Sequence, residues 1–414
     1  MNAEIITIGD ELLIGQVVDT NSAYIASRLN LIGIRVVQIT SVADQSDKIV
    51  QAVDSAFTRA NLVICTGGLG PTNDDITKLT LAEYFNMKLI MNPYVVDQIR
   101  GLLESRGYEV VERSLKQAEL PDGCEVLPNS AGTAQGMWFV KEDKHLISLP
   151  GVPYEVKAIW YEGLEDLLKE RFPLPALRHF TVLTNGIPES KMADLIAEWE
   201  NNLPGNIKLA YLPSPGILRL RLTGLIVDES DVNRVIREEV KKLESIIGEH
   251  VFGYNDDRPE TVLQDLLLNE NLTVSTAESC TGGMIGATIT SVPGSSAYYK
   301  GGVVVYSNEV KTSELSVSPY TLIMNGAVSQ PVVEQMADGV RSRFNTDFAV
   351  SVSGIAGPDG GTTEKPVGTT WIAVASKNKI VSAVYNFGDE RSRNIQKATV
   401  AALLMLRKEI LSCL

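Results

Sequence analysis

The chain predicts an α/β protein: two α/β/α domains with mostly parallel or mixed sheets, joined by a small α+β module. Three observations carry that prediction. Strand-like and helix-like segments alternate over residues 1–170 and again from Glu260 to Leu414, the pattern of helices packed on a largely parallel sheet. The stretch between them opens on Phe172-Pro173-Leu174-Pro175 and closes on Asn255-Asp256-Asp257-Arg258-Pro259, both linker-like. The 414 residues, 44% hydrophobic and 21% charged, suffice for two or three domains of about 100–200 residues each.

In the first domain, Ile5 to Ile8 is an apolar run of the buried-strand type, Asn21 to Leu31 is helical, and Ile34 to Ile39 is again strand. Asp47 to Ala60 has helical periodicity, and Leu62 to Cys65 is a strand ending in a glycine turn. Ligands of such folds collect at the carboxyl ends of strands, so the loops Gly9–Leu13 and Thr66–Asp75 are candidates. The module of residues 171–256 holds a strand over His179 to Leu183 and a helix over Glu189 to Trp199. An alternating strand over Ile217 to Leu225 and a charged amphipathic helix over Glu229 to Ile247 follow. In residues 257–414, strands are expected at Leu272–Val274, Gly302–Tyr306, Phe348–Val352, Thr370–Ala375 and Ile380–Phe387. Helices are expected over 281–291, 330–344 and 391–411, with Thr281 and Ser329 as N-caps of the first two.

Charge and cysteine usage narrow the function classes. A net charge of −14 repels nucleic acid and anionic membranes, and no Lys/Arg cluster offers a local exception. Cys65, Cys124, Cys280 and Cys413 have neither metal-ligand nor disulfide-framework spacing. The first ten residues carry Glu4 and Asp10 without a basic leader, and no apolar run approaches the roughly 18 residues of a membrane span. A cytoplasmic protein without membrane or nucleic-acid partners is expected.

Two constellations carry chemistry. Near the front, Thr66-Gly67-Gly68-Leu69-Gly70-Pro71-Thr72-Asn73-Asp74-Asp75 follows a strand and precedes a helix. Its glycines admit a ligand close to the backbone. Asp74 and Asp75 either hold a divalent cation (Mg or similar) that meets a phosphate, or cap the next helix. Near the back, Ala277-Glu278-Ser279-Cys280-Thr281-Gly282-Gly283 sits at a strand-to-helix turn, where a serine hydroxyl can face a cleft beside free N–H groups. His145, His179 and His250 all lie upstream. Lysine is the usual alternative base for a serine nucleophile, and Lys311 follows Tyr306-Ser307-Asn308, with Tyr306 able to relay a proton. Taken singly, Lys311 is also an ordinary solvated lysine, Tyr306 a strand aromatic and Ser279 a turn serine. Cys280 is the rival nucleophile, since a thiolate at a helix start is activated.

As sets, these blocks resemble a known family. The first constellation, with Gly9-Asp10-Glu11, Asp19-Thr20-Asn21, Gly132-Thr133-Ala134 and Leu149-Pro150-Gly151, is similar to the molybdopterin-binding (MogA/MoaB-like) domain at the front of the CinA family. There the resemblance implies a metal-dependent ADP-ribose pyrophosphatase. Asp74 and Asp75 would serve the metal or orient water, and Asn21, Gly67, Gly68, Gly70, Thr133, Pro150 and Gly151 would line the ligand. The module of residues 171–256 stands where the family has a KH-like domain, but it lacks the Gly-x-x-Gly loop that clamps nucleic acid. A spacer or dimerisation role is expected of it. The second constellation resembles the C-terminal CinA domain, which also exists alone as PncC, the nicotinamide mononucleotide (NMN) deamidase. Pro293-Gly294-Ser295-Ser296, Ser353-Gly354-Ile355-Ala356-Gly357-Pro358 and Asp389-Glu390-Arg391-Ser392-Arg393 extend that match.

The resemblance implies Ser279 as nucleophile, with Tyr306 and Lys311 activating it and no cofactor. Cys280, Thr281, Gly282, Gly283, Ser296, Ser353, Gly354, Gly357 and Arg393 would contact NMN, Arg393 through its phosphate. Ser353 stands where many of these deamidases carry threonine. Backbone N–H groups from Cys280 to Gly283 would hold the oxyanion. The expectation is a homodimeric, bifunctional hydrolase of pyridine nucleotides. The alternatives are a single active domain, or a ligand-binding or scaffold protein linked to competence.

Overall fold

Ile5 and Ile6 are both fully buried, yet they enter different cores, because successive side chains of a strand point to opposite faces. Ile6, Val63, Cys65 and Leu146 pack to one face of a sheet; Ile5, Leu62, Ile64 and Ile147 pack to the other. Helices cover both faces, and each such aliphatic side chain taken from water contributes about 1.5–3 kcal/mol. The computed structural model describes residues 1–72, 75–174, 177–225 and 229–414. Asn73 and Asp74 of the acidic turn and Pro175 of the first linker lie outside the described residues. The chain divides into two compact units, one holding Met1–Arg178 and the other His179–Gly224 and Ser230–Leu414.

The first unit contains β1 (Asn2–Ile8), β2 (Arg35–Val42), β3 (Leu62–Thr66), β4 (Leu89–Met91), β5 (Glu119–Pro121), β6 (Glu125–Leu127), β7 (Gly136–Lys141) and β8 (Lys144–Leu149). Six of these form one mixed sheet in the order β2-β1-β3-β8-β7-β6, and β4 pairs with β5 apart from it. The strands β2, β1, β3 and β8 run parallel, whereas β7 is antiparallel to both of its neighbours, β8 and β6. The carboxyl ends of β1, β3 and β8 therefore lie side by side, and the loops that follow them carry the first constellation.

The second unit opens on an antiparallel sheet built from β9 (Leu177–Thr184), β10 (Ile207–Ser214), β11 (Ile217–Leu225) and β12 (Val251–Tyr254), in the order β10-β11-β9-β12. Pro215-Gly216 is the two-residue hairpin between β10 and β11, with Gly216 at φ +79°. The unit continues with β13 (Val274–Glu278), β14 (Tyr299–Val304), β15 (Phe348–Gly354), β16 (Thr369–Ala375) and β17 (Ile380–Asn386). Their order is β14-β13-β15-β16-β17, with the first three parallel and the last two antiparallel. Val274, Val350, Ile372 and Val374 pack under helices Pro259–Asn269 and Arg391–Cys413, while Ala277 and Ala349 pack against helix Gln330–Phe344. Among the described residues, no helix is long and apolar enough to cross a membrane.

Three sequence expectations shift here. The helix expected over 281–291 spans Met284–Thr290, because Gly282 and Gly283 take φ +63° and +102° and hold the chain in a turn. Thr281 is therefore not its N-cap; Gly283 is. Ser329 does occupy the N-cap position of helix Gln330–Phe344, but its hydroxyl donates back to the carbonyl of Gly326 instead of capping. The strand expected at 272–274 instead begins at Val274 and ends at Glu278, its polar residues satisfied internally: Ser275 bonds Thr346 and Thr276 bonds the hydroxyl of Tyr299, each at 2.8 Å.

Candidate active site

Ser279 leaves β13 directly, and its N–H donates to the Val352 carbonyl of β15 at 3.0 Å. That bond fixes the serine at the carboxyl end of two adjacent parallel strands. Ser307 starts the next relevant helix, Asn308–Leu315, by accepting from the Val310 N–H. Lys311 and Leu315, one turn apart, thereby face inward. Lys311 is 1% exposed, and its Nζ donates to Ser279 Oγ at 3.2 Å and to the Val305 carbonyl at 2.8 Å. Burial pulls its pKa below the ordinary 10.5, against the weaker opposing charge of Glu309. A buried lysine held on a serine hydroxyl is a serine–lysine dyad in geometry.

The neighbouring Cys280 is buried as well, and burial pushes its thiol up to about 12, against the opposing pull of Lys311 and Arg391. The protonated thiol packs toward Gly354, where a Cβ would come within 3.0 Å of Sγ. Cys280 is thus a poor nucleophile here. Beside it, the N–H of Gly282 is used by Ser279 O, and that of Gly283 by the Glu278 carboxylate. Of the expected oxyanion donors, only the N–H groups of Cys280 and Thr281 remain without an acceptor among the described residues. The Thr281 hydroxyl, 4% exposed, also lacks a partner.

Other expected contacts fall differently. Tyr306 lies beyond the end of β14, is 63% exposed, and accepts a hydrogen bond from Arg391 at 3.1 Å; it makes none with Ser279 or Lys311. Arg391 also donates to the Gly357 carbonyl at 2.8 Å, and its charge is felt at the Cys280 thiol. Arg393 is exposed and lies 3.7 Å from the Glu390 carboxylate. Residues two apart on a helix face away from each other, and of the two it is Arg391 whose side chain reaches the Gly357 carbonyl and Tyr306. Ser353 is 1% exposed and donates to the Ala327 carbonyl at 2.8 Å, anchoring that loop instead of facing a ligand. Ser296 precedes β14, whose pairing sets Tyr299 opposite Val274 and Val304 opposite Glu278. It therefore stands at the far end of the sheet, about 15 Å from Ser279.

In the first unit, the loops after β1, β3 and β8 enclose a cleft of about 530 Å³, lined by Gly67, Gly68, Gly70, Thr133, Pro150 and Gly151 among others. Gly67 has φ +118°, and a Cβ there would sit 2.1 Å from the Ile8 carbonyl oxygen. The N–H groups of Gly68, Leu69 and Gly70 have no acceptor among the described residues. Asn21, expected to bind ligand, is spent on structure: its amide donates to Gly151 O at 2.7 Å and Thr66 Oγ1 at 3.1 Å, locking the β3 and β8 loops together.

Asp75 accepts from the Thr72 N–H at 2.8 Å and from the Thr72 hydroxyl, closing its own loop. It does not cap helix Thr77–Tyr84, whose N-cap is Ile76. Glu11, Asp44 and Glu155 also face the cleft and had no assigned role. Burial, and then the charges of Glu11, Asp10 and Asp75, raise the pKa of Asp44, a place where a cation would be welcome. Among the described residues no three His, Cys, Asp or Glu side chains gather to hold a metal alone. The carboxylates that line the cleft, Glu11, Asp44, Asp75 and Glu155, are oxygen donors of the kind a hard cation takes.

Comparison with known proteins gives three family matches in chain order. A probable molybdopterin binding domain covers residues 4–170, the damage-inducible protein CinA KH domain 179–253, and the CinA C-terminal domain 256–410. A CinA-like protein of Flavobacterium psychrophilum is 46% identical over 413 residues, 99% of each chain. The chain belongs to the CinA family. A second CinA-like protein, from Cytophaga hutchinsonii, is 45% identical over 408 residues, 99% of this chain and 98% of that one. The solved competence/damage inducible protein CihA of Agrobacterium tumefaciens is 40% identical, covers 36% of this chain and 92% of its own, and has a TM-score of 0.35. The Ser279–Lys311 pair thus lies in the CinA C-terminal domain, and the glycine cleft in the molybdopterin-binding type domain.

Proposed function

We propose that the C-terminal domain hydrolyses the carboxamide of NMN to nicotinic acid mononucleotide and ammonia. The observation that carries this reading is the buried Lys311 ammonium on Ser279 Oγ, with two unspent N–H groups beside it. In its neutral form Lys311 takes the Ser279 proton as Oγ bonds to the amide carbon. The N–H groups of Cys280 and Thr281 receive the negative charge that forms on oxygen. Collapse breaks the C–N bond, Lys311 returns the proton to the leaving nitrogen, and ammonia departs. Water then cleaves the acyl ester by the reverse roles and frees Ser279. Arg391 is the guanidinium suited to the substrate's phosphate.

For the N-terminal domain the reading is metal-dependent hydrolysis of ADP-ribose to AMP and ribose 5-phosphate. It is supported by the free N–H groups of Gly68 to Gly70 facing a cleft rimmed by carboxylates. Asp44 and Asp75 would hold the cation, which neutralises charge on the diphosphate when bound; the glycine N–H groups hold phosphate oxygens. The test incubates the protein with NMN, and separately with ADP-ribose plus Mg²⁺, following ammonia and AMP. Ser279→Ala is expected to end ammonia release. Continued deamidation by that variant would sink the serine assignment.

A further inference from the structure

Glu278 precedes the proposed nucleophile, is 2% exposed, and has no basic side chain as partner among the described residues. Its carboxylate instead accepts three backbone N–H groups: Gly283 and Ile285 on Oε2, each at 3.0 Å, and Gly286 on Oε1 at 2.8 Å. Charge-assisted bonds of this kind are roughly twice as strong as neutral ones. The packing around them is shaped to fit. A Cβ at Gly286 would crowd the Tyr299 hydroxyl at 2.8 Å, while meeting Glu278 Oε1 at an ordinary contact distance of 3.5 Å.

We propose that Glu278 is a positioning residue that builds the oxyanion-binding turn beside Ser279. The inference rests on the deamidase reading given above. A helix start presents several unpaired N–H groups, all attractive to an anion. Glu278 occupies those of Gly283, Ile285 and Gly286, while Gly282 and Met284 bond back to Ser279 and Thr281 carbonyls. The N–H groups of Cys280 and Thr281, the two that follow Ser279 in the chain, are left without an acceptor among the described residues. The backbone of the same residue reaches the base: Glu278 O accepts from Val305 N at 2.8 Å, and Val305 O accepts from Lys311 Nζ at 2.8 Å. One residue thereby sets the register of both the donors and the base.

Glutamine is the informative replacement, because it has the same shape but only one acceptor oxygen. If that oxygen serves Gly283 and Ile285, the new NH₂ confronts the Gly286 N–H, and the turn must shift. The experiment measures kcat, KM and the pH profile of NMN deamidation for wild type, Glu278→Gln, Glu278→Asp and Ser279→Ala, with a circular-dichroism melt of each. In Glu278→Gln, kcat is expected to fall about tenfold or more, with KM within about twofold and the acid limb of the pH profile unmoved, because the loss is in the transition state and not in binding. Glu278→Asp, which keeps the charge, is expected to fall between glutamine and wild type. A folded Glu278→Gln with wild-type kcat overturns the proposal, as does a rise in KM that accounts for the whole loss. Unfolding of both Glu278 variants also overturns it, since the residue would then serve folding alone. If the wild type itself releases no ammonia from NMN, the deamidase reading fails first, and the Ser279→Ala control makes the two failures distinct.

Discussion

Lys311 decides the chemistry at the residue scale. Burial disfavours its charged form, so its pKa in the fold lies below 10.5. As a general base it works only when neutral, and kcat for NMN is expected to rise with pH through that lowered pKa and then level off. A stopped-rate pH series that shows an acid limb centred at or above 10.5 would contradict the assignment. Stability follows the same group. Between the folded and unfolded pKa values the unfolded chain binds more protons, so the parent gains stability as pH rises. The melting-temperature difference between Lys311→Met and the parent is therefore expected to fall as pH rises through the lowered folded pKa and to level off above the ordinary lysine value of about 10.4. Cys280→Ala should keep deamidation within a few fold, because a thiol pushed up to about 12 supplies no thiolate. Arg391→Ala is expected to raise KM for NMN about tenfold, the value of one charged hydrogen bond, while Arg393→Ala changes it by less than about twofold. Substrate titrations of the two variants separate them. Ser279 and Lys311 were legible in the sequence, as residue types in a known pattern. That Arg391, and not Arg393, bonds Tyr306 and Gly357 was not, because it depends on which way helix Arg391–Cys413 is rotated.

At the scale of elements, the sequence located strands well where apolar residues run together, as at Leu62 to Cys65, and poorly where a strand is polar. Val274–Glu278 is such a case: its core is Ser275, Thr276 and Glu278, each buried and each hydrogen-bonded within the fold. A polar strand with internal partners has no hydrophobic period to read. Glycine turns were legible as turns, though not the helix starts they displace. Gly67 shows how strict such a turn is. With φ +118° and the Ile8 carbonyl oxygen 2.1 Å from where a Cβ would sit, both the backbone and the space exclude a side chain. Gly67→Ala is expected to destabilise the first unit by about 3 kcal/mol and to abolish AMP release from ADP-ribose. Urea unfolding followed by tryptophan fluorescence reads the first effect, and an unchanged midpoint would show that the loop relaxes freely.

For the whole molecule, the order of an α/β domain, a small antiparallel module and a second α/β domain was legible from the alternation of segments and two proline-bearing linkers. What the sequence did not reveal is how completely each candidate site is built from its own unit. Ser279, Lys311, Arg391 and Glu278 all belong to the unit of Ser230–Leu414, and the hydrogen bonds that hold them run to Val305, Val352 and Gly357 of that same unit. The glycine cleft, Asn21, Asp44 and Asp75 belong to Met1–Arg178, over cores that contain no residue of the other. Substitutions without shared partners add independently. Ser279→Ala is therefore expected to end ammonia release from NMN while leaving AMP release from ADP-ribose within about twofold, and Asp75→Ala to do the reverse. Both rates measured on both full-length variants give four numbers. Loss of both activities in either variant would mean that the two sites act as one, and a shared step would have to be sought.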